Sequence, residues 1–179
     1  MQGLVSLHHT SDSPAPCPAP AGPRGAPAYG GAVPRPDAPG LLSCCALAAV
    51  AALHALWGTG SAWPAADRDR LAEAVAGTRD MPPPAACFVV AAALTTGAAL
   101  VGGAGGDGRL ARLARAGVAG GLLARGVAGV TGRTALLVPW TPSAGFQALD
   151  RRRYGPFCLA VGAVAATSLA RSSRTRGAA

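Results

Sequence analysis

Proline divides this chain more firmly than any other feature. Pro64, Pro82, Pro83, Pro84, Pro139, Pro142 and Pro156 all lie between four apolar runs, Leu41 to Trp57, Ala85 to Gly103, Ala116 to Val138 and Phe157 to Ala170, and none lies inside one. Inside a helix proline removes a hydrogen bond and clashes with the preceding turn, so runs that exclude it read as helices. A helix that crosses a bilayer needs about 20 apolar residues, with about 17 to 25 tolerated. By that measure the second and third runs are long enough, the first is borderline and the fourth is short. The fourth gains length by starting at 155, since proline is accepted in a first helical turn. The runs are apolar on every face rather than along one stripe, which suits lipid better than water. Ala and Gly are poor strand residues, and alternation of period two is missing.

The expected fold class is therefore all-α: a polytopic membrane protein with a four-helix transmembrane bundle over 41–170, helices at about 41–57, 85–103, 116–138 and 155–170. Composition agrees, with 50% hydrophobic and 13% charged residues and a mean hydropathy of +0.32, against about 25% charged residues in soluble domains. Residues 1–40 hold nine of the sixteen prolines and six of the 25 glycines with no apolar periodicity, and read as a disordered N-terminal tail. Residues 171–179 read as a basic C-terminal tail. Leu41-Leu42-Ser43-Cys44 lacks the preceding apolar stretch of a lipoprotein cleavage site, and the polar tail argues against a signal peptide.

All sixteen basic residues are Arg, against eight acidic ones, for a net charge of +8. Together with the Ala and Gly bias this suggests a GC-rich bacterial source. The Arg residues sit in short groups beside apolar runs rather than in one patch interleaved with aromatics. Anionic lipid headgroups, not nucleic acid, are the expected partners. Eight Arg flank the side that holds both termini and six flank the other, which places the termini in the cytoplasm and the protein in the cell membrane. The five cysteines show no metal-like or CxxC spacing, and Cys44, Cys45, Cys87 and Cys158, in apolar surroundings, read as small buried hydrophobes. His8-His9 is a weak metal-like pair in the tail. No metal and no cofactor is expected.

Only Arg125 and Arg133 carry charge within the four runs. A mid-membrane Arg costs ~2.5 to 3.5 kcal/mol on insertion scales, so it faces the bundle interior, snorkels or meets an anion. Arg133, near a segment end, can snorkel. Arg125 lies deeper, and no Asp or Glu in the runs can pair with it. Its expected partners are carbonyls, Thr95 or Thr96, water, lipid or a bound anion. His54 and Trp57 are one turn apart on one face of the first helix, at the depth of Arg133. Gly117, Gly121 and Gly129 form a small-residue stripe, interrupted by Arg125, along which another helix can approach.

The set His54-Ala55-Leu56-Trp57-Gly58 with Trp63-Pro64, Arg125-Gly126-Val127-Ala128-Gly129, Trp140-Thr141-Pro142, and Asp150 leading to Tyr154-Gly155-Pro156-Phe157-Cys158-Leu159 resembles the bacterial membrane-protein family known as domain of unknown function 3995. The resemblance covers about residues 43 to 170 and implies a four-helix integral membrane protein. It carries no activity with it.

Arg133 reaches the depth of His54 with Arg125 below it, both candidate binding residues, and His54, Trp57, Trp63, Trp140, Asp150 and Tyr154 all map to one membrane face. Aromatic belts normally occupy both interfaces, and the other ends of the runs have no Trp or Tyr. These residues are expected to line a shallow outer cup that holds a ligand or lipid, Asp150 pairing with Arg133 or one of Arg151 to Arg153. The corresponding function is that of a small non-enzymatic membrane protein that binds lipid or a partner helix, with a homo-oligomer or another membrane protein as partner. The alternative is an oligomeric transporter or channel component with Arg125 as its anion site. An enzyme built on His54 lacks a nucleophile and base pair, and no phosphate loop is present.

Overall fold

The computed structural model describes residues 37–177. The expectations for the tail before Asp37, His8 and His9 included, lie outside the described residues. What is described is helical: α1 (Ala38–Gly58), α2 (Arg68–Val75), α3 (Pro84–Val101), α4 (Arg109–Val130), a 3-10 turn at Thr134–Leu136, α5 (Ala144–Leu149), a π-helical turn at Asp150–Tyr154 and α6 (Gly155–Gly177).

The helix ends follow local chemistry. Asp37 is extended and its carboxylate accepts from Gly40 N at 3.0 Å, with proline in the first turn. This N-cap starts α1 three residues before the expected Leu41, inside what was read as the tail. Pro84 opens α3 as the third of three prolines. The largest boundary correction concerns α4, expected over 116–138. It begins at Arg109 and ends at Val130, because Gly132 adopts φ 70°. That left-handed residue lets Gly132 N reach Gly129 O at 3.1 Å and Arg133 N reach Ala128 O at 2.7 Å, a Schellman closure that terminates the helix. Arg125 thus sits in the second-last turn rather than mid-helix, and Arg133 lies beyond the helix altogether. At the other terminus α6 continues past the expected 170 to Gly177.

Among the described residues three helices, α1, α3 and α4, are long and apolar enough to cross a membrane. Only 28%, 28% and 17% of their most apolar stretches is buried within the chain. Their outward faces are apolar too, with Leu41, Leu42, Phe88, Val89, Leu113 and Val127 all exposed. Water would penalise such faces, whereas hydrocarbon does not.

α1 lies along α3, α4 lies along α6, and α6 against α1 joins the two hairpins. A core of Leu47, Ala98, Val101, Ala119, Val161 and Ala165 fills the junction. The small-residue contact between α4 and α6 differs from the expected stripe. A Cβ on Gly126 would stand 2.8 Å from Leu159 N, one on Gly129 2.9 Å from Gly155 Cα, and one on Gly162 3.0 Å from Leu123 Cγ. Gly117 and Gly121, by contrast, face open space. The expected stripe therefore splits: Gly129 packs inside the chain together with Gly126, which was not part of it, and Gly117 and Gly121 lie on the outside.

Both long connections, 59–83 and 131–154, leave the bundle at the same end. They fold into α2, α5 and the two irregular turns, a cap absent from the expected scheme of four helices and loops. α2 is amphipathic: Asp67 caps it through Arg70 N at 2.8 Å, and Leu71 and Ala72 are buried. Leu71, Trp57 and Cys87 form a second core that seats α2 on the ends of α1 and α3.

Candidate functional site: a buried carboxylate under a stitched cap

Asp150, 0% exposed, is the polar centre of the cap end. Both of its oxygens face Arg125: Nη2 donates to Oδ1 at 2.9 Å and Nη1 to Oδ2 at 3.1 Å. The Thr134 hydroxyl also donates to Oδ2. Three local structures make this convergence. Gly129 leaves room beside the carboxylate, since a Cβ there would stand 2.9 Å from Oδ1 and 3.0 Å from Arg125 Nη1. The Schellman turn swings Thr134 back over the end of α4. The π turn at 150–154 widens the helix so that Asp150 points into the bundle, a device often found where a helix must re-aim one side chain.

This geometry corrects two expectations. Arg125 has an acidic partner, a bidentate one, and it comes from outside the apolar runs. Asp150 pairs with Arg125 rather than with Arg133 or Arg151 to Arg153. Thr95 and Thr96 are not partners of Arg125; their hydroxyls donate to Ala91 O at 2.8 Å and Ala92 O at 2.9 Å within their own helix. Two-point recognition of carboxylate by guanidinium is strong and directional, and it neutralises the charge that suggested an anion site.

The aromatic residues turn their polar atoms to main-chain carbonyls. Trp57 Nε1 donates to Trp63 O at 2.8 Å, Trp140 Nε1 to Ala76 O at 3.0 Å and Tyr154 Oη to Ala74 O at 3.0 Å. Ala74 and Ala76 end α2, whose last carbonyls have no partner within their own helix. Ser143 completes the seam: its N donates to Gly77 O at 3.0 Å and its hydroxyl to Glu73 Oε1 at 2.5 Å. Gly77 must be glycine here, with φ 72° and Phe146 Cβ 2.8 Å from where its own Cβ would be. Thus the second connection is stitched along the C-terminal end of α2. Burial raises the Tyr154 hydroxyl above its ordinary pKa, opposed by Arg153 and reinforced by Asp150, so the phenol keeps its proton and its donor role.

His54 takes a local role. Its Nδ1 is 2.9 Å from Val50 O, which assigns the proton to that nitrogen, and its ring leans on Trp57 with centroids 4.9 Å apart. No hydrogen bond or ion pair among the described residues joins it to Arg125 or Arg133. Arg133 is exposed, as is Trp63. The six residues expected to line the cup and the two arginines expected near them take separate places: Arg125 and Asp150 form one node, Trp140 and Tyr154 close a seam, His54 and Trp57 pack together, and Trp63 and Arg133 are exposed.

Among the described residues, open grooves lie elsewhere. One of ≈ 580 Å³ runs beside α2 and α5, lined by Asp69, Arg70, Glu73, Arg79 and Phe146. Another, of ≈ 520 Å³, lies at the far end of the bundle between α4 and α6. Neither is lined by any residue of the expected cup.

No curated protein matches the chain, and no solved structure does. The model of one family matches residues 31–165, which spans α1 to α5, both irregular turns and the first half of α6. The chain belongs to this family, described as protein of unknown function (DUF3995).

Proposed function

We propose that the chain is a four-span membrane protein that works by binding lipid and neighbouring helices in the plane of the bilayer, without catalysis. α6 is the fourth span, since it packs along α4 and α1 and returns the chain to the end where α1 begins. One observation carries the reading: Arg125, Asp150, Trp57, Trp140 and Tyr154 of the cap are engaged within the chain, while the outer faces of α3 and α4 are apolar or small and bare. Arg125 is held by Asp150, and Trp57, Trp140 and Tyr154 are held by carbonyls. On α4 the bare surface includes Gly117, Gly120 and Gly121, where nothing lies within 4 Å of a built Cβ. Such a surface lets a second helix approach closely enough for dispersion and weak Cα–H contacts to hold it.

Arg distribution supports termini on the cytoplasmic side. The test of helix binding is the oligomeric state of the full chain in native membrane nanodiscs, read by single-molecule photobleaching. Wild type is expected to run above monomer and Gly121→Ile to shift toward monomer, since the substitution blocks only open space. A monomer in both sinks the helix-binding half of the proposal.

A further inference from the structure

At the end opposite the cap, the ≈ 520 Å³ groove has Arg109 and Arg112 on its rim and Leu113, Ala116, Ala166 and Leu169 on its floor. α4 starts there with Gly108 as N-cap, which offers no side-chain acceptor, and its first turn has no acidic residue. The unpaired first-turn N–H groups and the positive end of the helix dipole therefore coincide with two guanidiniums. The only carboxylate of the adjoining connection, Asp107, lies 3.7 Å from Arg115 Nη1. Among the described residues Arg109 has no hydrogen-bond or ion-pair partner. Downstream, the chain adds Arg171, Arg174 and Arg176 and no acid.

A cationic rim above an apolar floor has the shape and charge of an amphiphile with an anionic head. We propose that this groove holds one anionic phospholipid, its phosphate between Arg109 and Arg112 and the upper part of an acyl chain over Leu113, Ala116, Ala166 and Leu169. The proposal rests on the membrane reading above and gives its lipid partner a class and a place. Net positive charge at the rim selects a net-negative headgroup over a zwitterionic one, each Arg near the surface strengthening the attraction. The apolar floor distinguishes a lipid from free phosphate, which would gain nothing from it.

Native mass spectrometry of the full chain, released from equimolar phosphatidylglycerol and phosphatidylcholine vesicles, tests this. Wild type is expected to retain one phosphatidylglycerol in preference to phosphatidylcholine, and Arg109→Gln with Arg112→Gln to lower that preference about tenfold or more. Ala116→Phe keeps both charges and fills the groove from an exposed position, so it is expected to lower retention as well. Arg151→Gln, Arg152→Gln and Arg153→Gln together, at the cap, are expected to change nothing. Undiminished retention in the Arg109/Arg112 variant overturns the site. An equal loss in the cap variant overturns it in favour of general charge attraction, and full displacement by millimolar inorganic phosphate overturns it in favour of a free-anion site. Sedimentation with membranes is read in the same preparations. Sedimentation with unchanged retention removes the lipid site alone, whereas a wild-type chain that stays in the supernatant removes both readings.

Discussion

Where connections 59–83 and 131–154 leave the bundle, indole, phenol and hydroxyl donors close on carbonyls of the same chain and a buried carboxylate takes up the nearest guanidinium. Where 102–108 joins α3 to α4, the link is short and glycine-rich, and the Arg115 side chain reaches back to secure it. Arg115 Nε donates to Leu100 O at 2.7 Å and Nη2 to Gly106 O at 2.7 Å, which ties the loop to the end of α3. Asp37 ties the start of α1 to the side of α6, accepting from Gly40 N at 3.0 Å and Ser168 Oγ at 2.7 Å. The end richest in chemically suggestive residues thus spends Arg125, Asp150, Trp57, Trp140 and Tyr154 on its own fold, and the groove beside α2 and α5 is lined by none of them, whereas the plainer end has a groove with Arg109 and Arg112 in its lining. Polar residues clustered at one face of a membrane protein can be there to fold its loops, and their number says little about where a ligand sits.

If the cap depends on its carboxylate, Asp150→Ala should have the largest effect on the fold. Removing one partner of a buried pair leaves the other uncompensated, a cost of about 3 kcal/mol here, at the low end of the usual range because the Arg125 side chain is 32% exposed. Thermal unfolding in detergent checks it, and Asp150→Leu combined with Arg125→Met should recover most of the loss. A double variant as unstable as Asp150→Ala would mean that the node acts through something besides its charges. Next in size, Arg115→Gln should cost about 2 kcal/mol, the scale of charged hydrogen bonds to carbonyls, and should raise hydrogen exchange in 100–108 while leaving the cap protected. Equal loosening at both ends would erase the contrast drawn between them.

A smaller effect is expected of Trp140→Phe, about 1 kcal/mol for one lost hydrogen bond to the end of α2, seen as faster exchange over 68–77 alone. Tyr154→Phe probes the same seam through pH. Because the folded pKa is raised, the unfolded chain loses its phenolic proton first, and stability present below about pH 10 declines as pH rises through the folded value. The Phe variant should lack that component of alkaline loss; an identical alkaline profile in both chains would remove Tyr154 from the seam. Smallest of all, Arg109→Gln with Arg112→Gln should shift stability by no more than about 0.5 kcal/mol, as for exposed positions.

How much of this was legible depends on the range of the interaction. Proline exclusion located the apolar helices because it acts within a turn. The end of α4 was also written locally, in Thr131-Gly132, yet the apolar residues Ala135 to Val138 beyond it extended the apparent run. α2 escapes an apolar-run criterion because an eight-residue helix with Asp67, Asp69 and Glu73 has no such run, although its N-cap and its buried Leu71 are local features. The Arg125–Asp150 pair could not be read, since the two are 25 positions apart and Asp150 precedes three arginines that look like its natural partners. Only the π turn and the close approach of Gly129 to Gly155 decide which guanidinium reaches it. Likewise, among so many glycines, which of them pack and which lie open depends on the rotation of α4 about its axis.

Four crossings remain the central claim, and side-specific maleimide labelling in whole cells tests it most directly. Single cysteines would replace Arg79, Ala148 and Gly108 in a chain otherwise free of cysteine, with an accessible tag after residue 179. The account predicts that positions 79 and 148 label from one side and that position 108 and the tag are reached only from the other. Positions 79 and 148 on opposite sides, or the tag on the same side as 148, would contradict it.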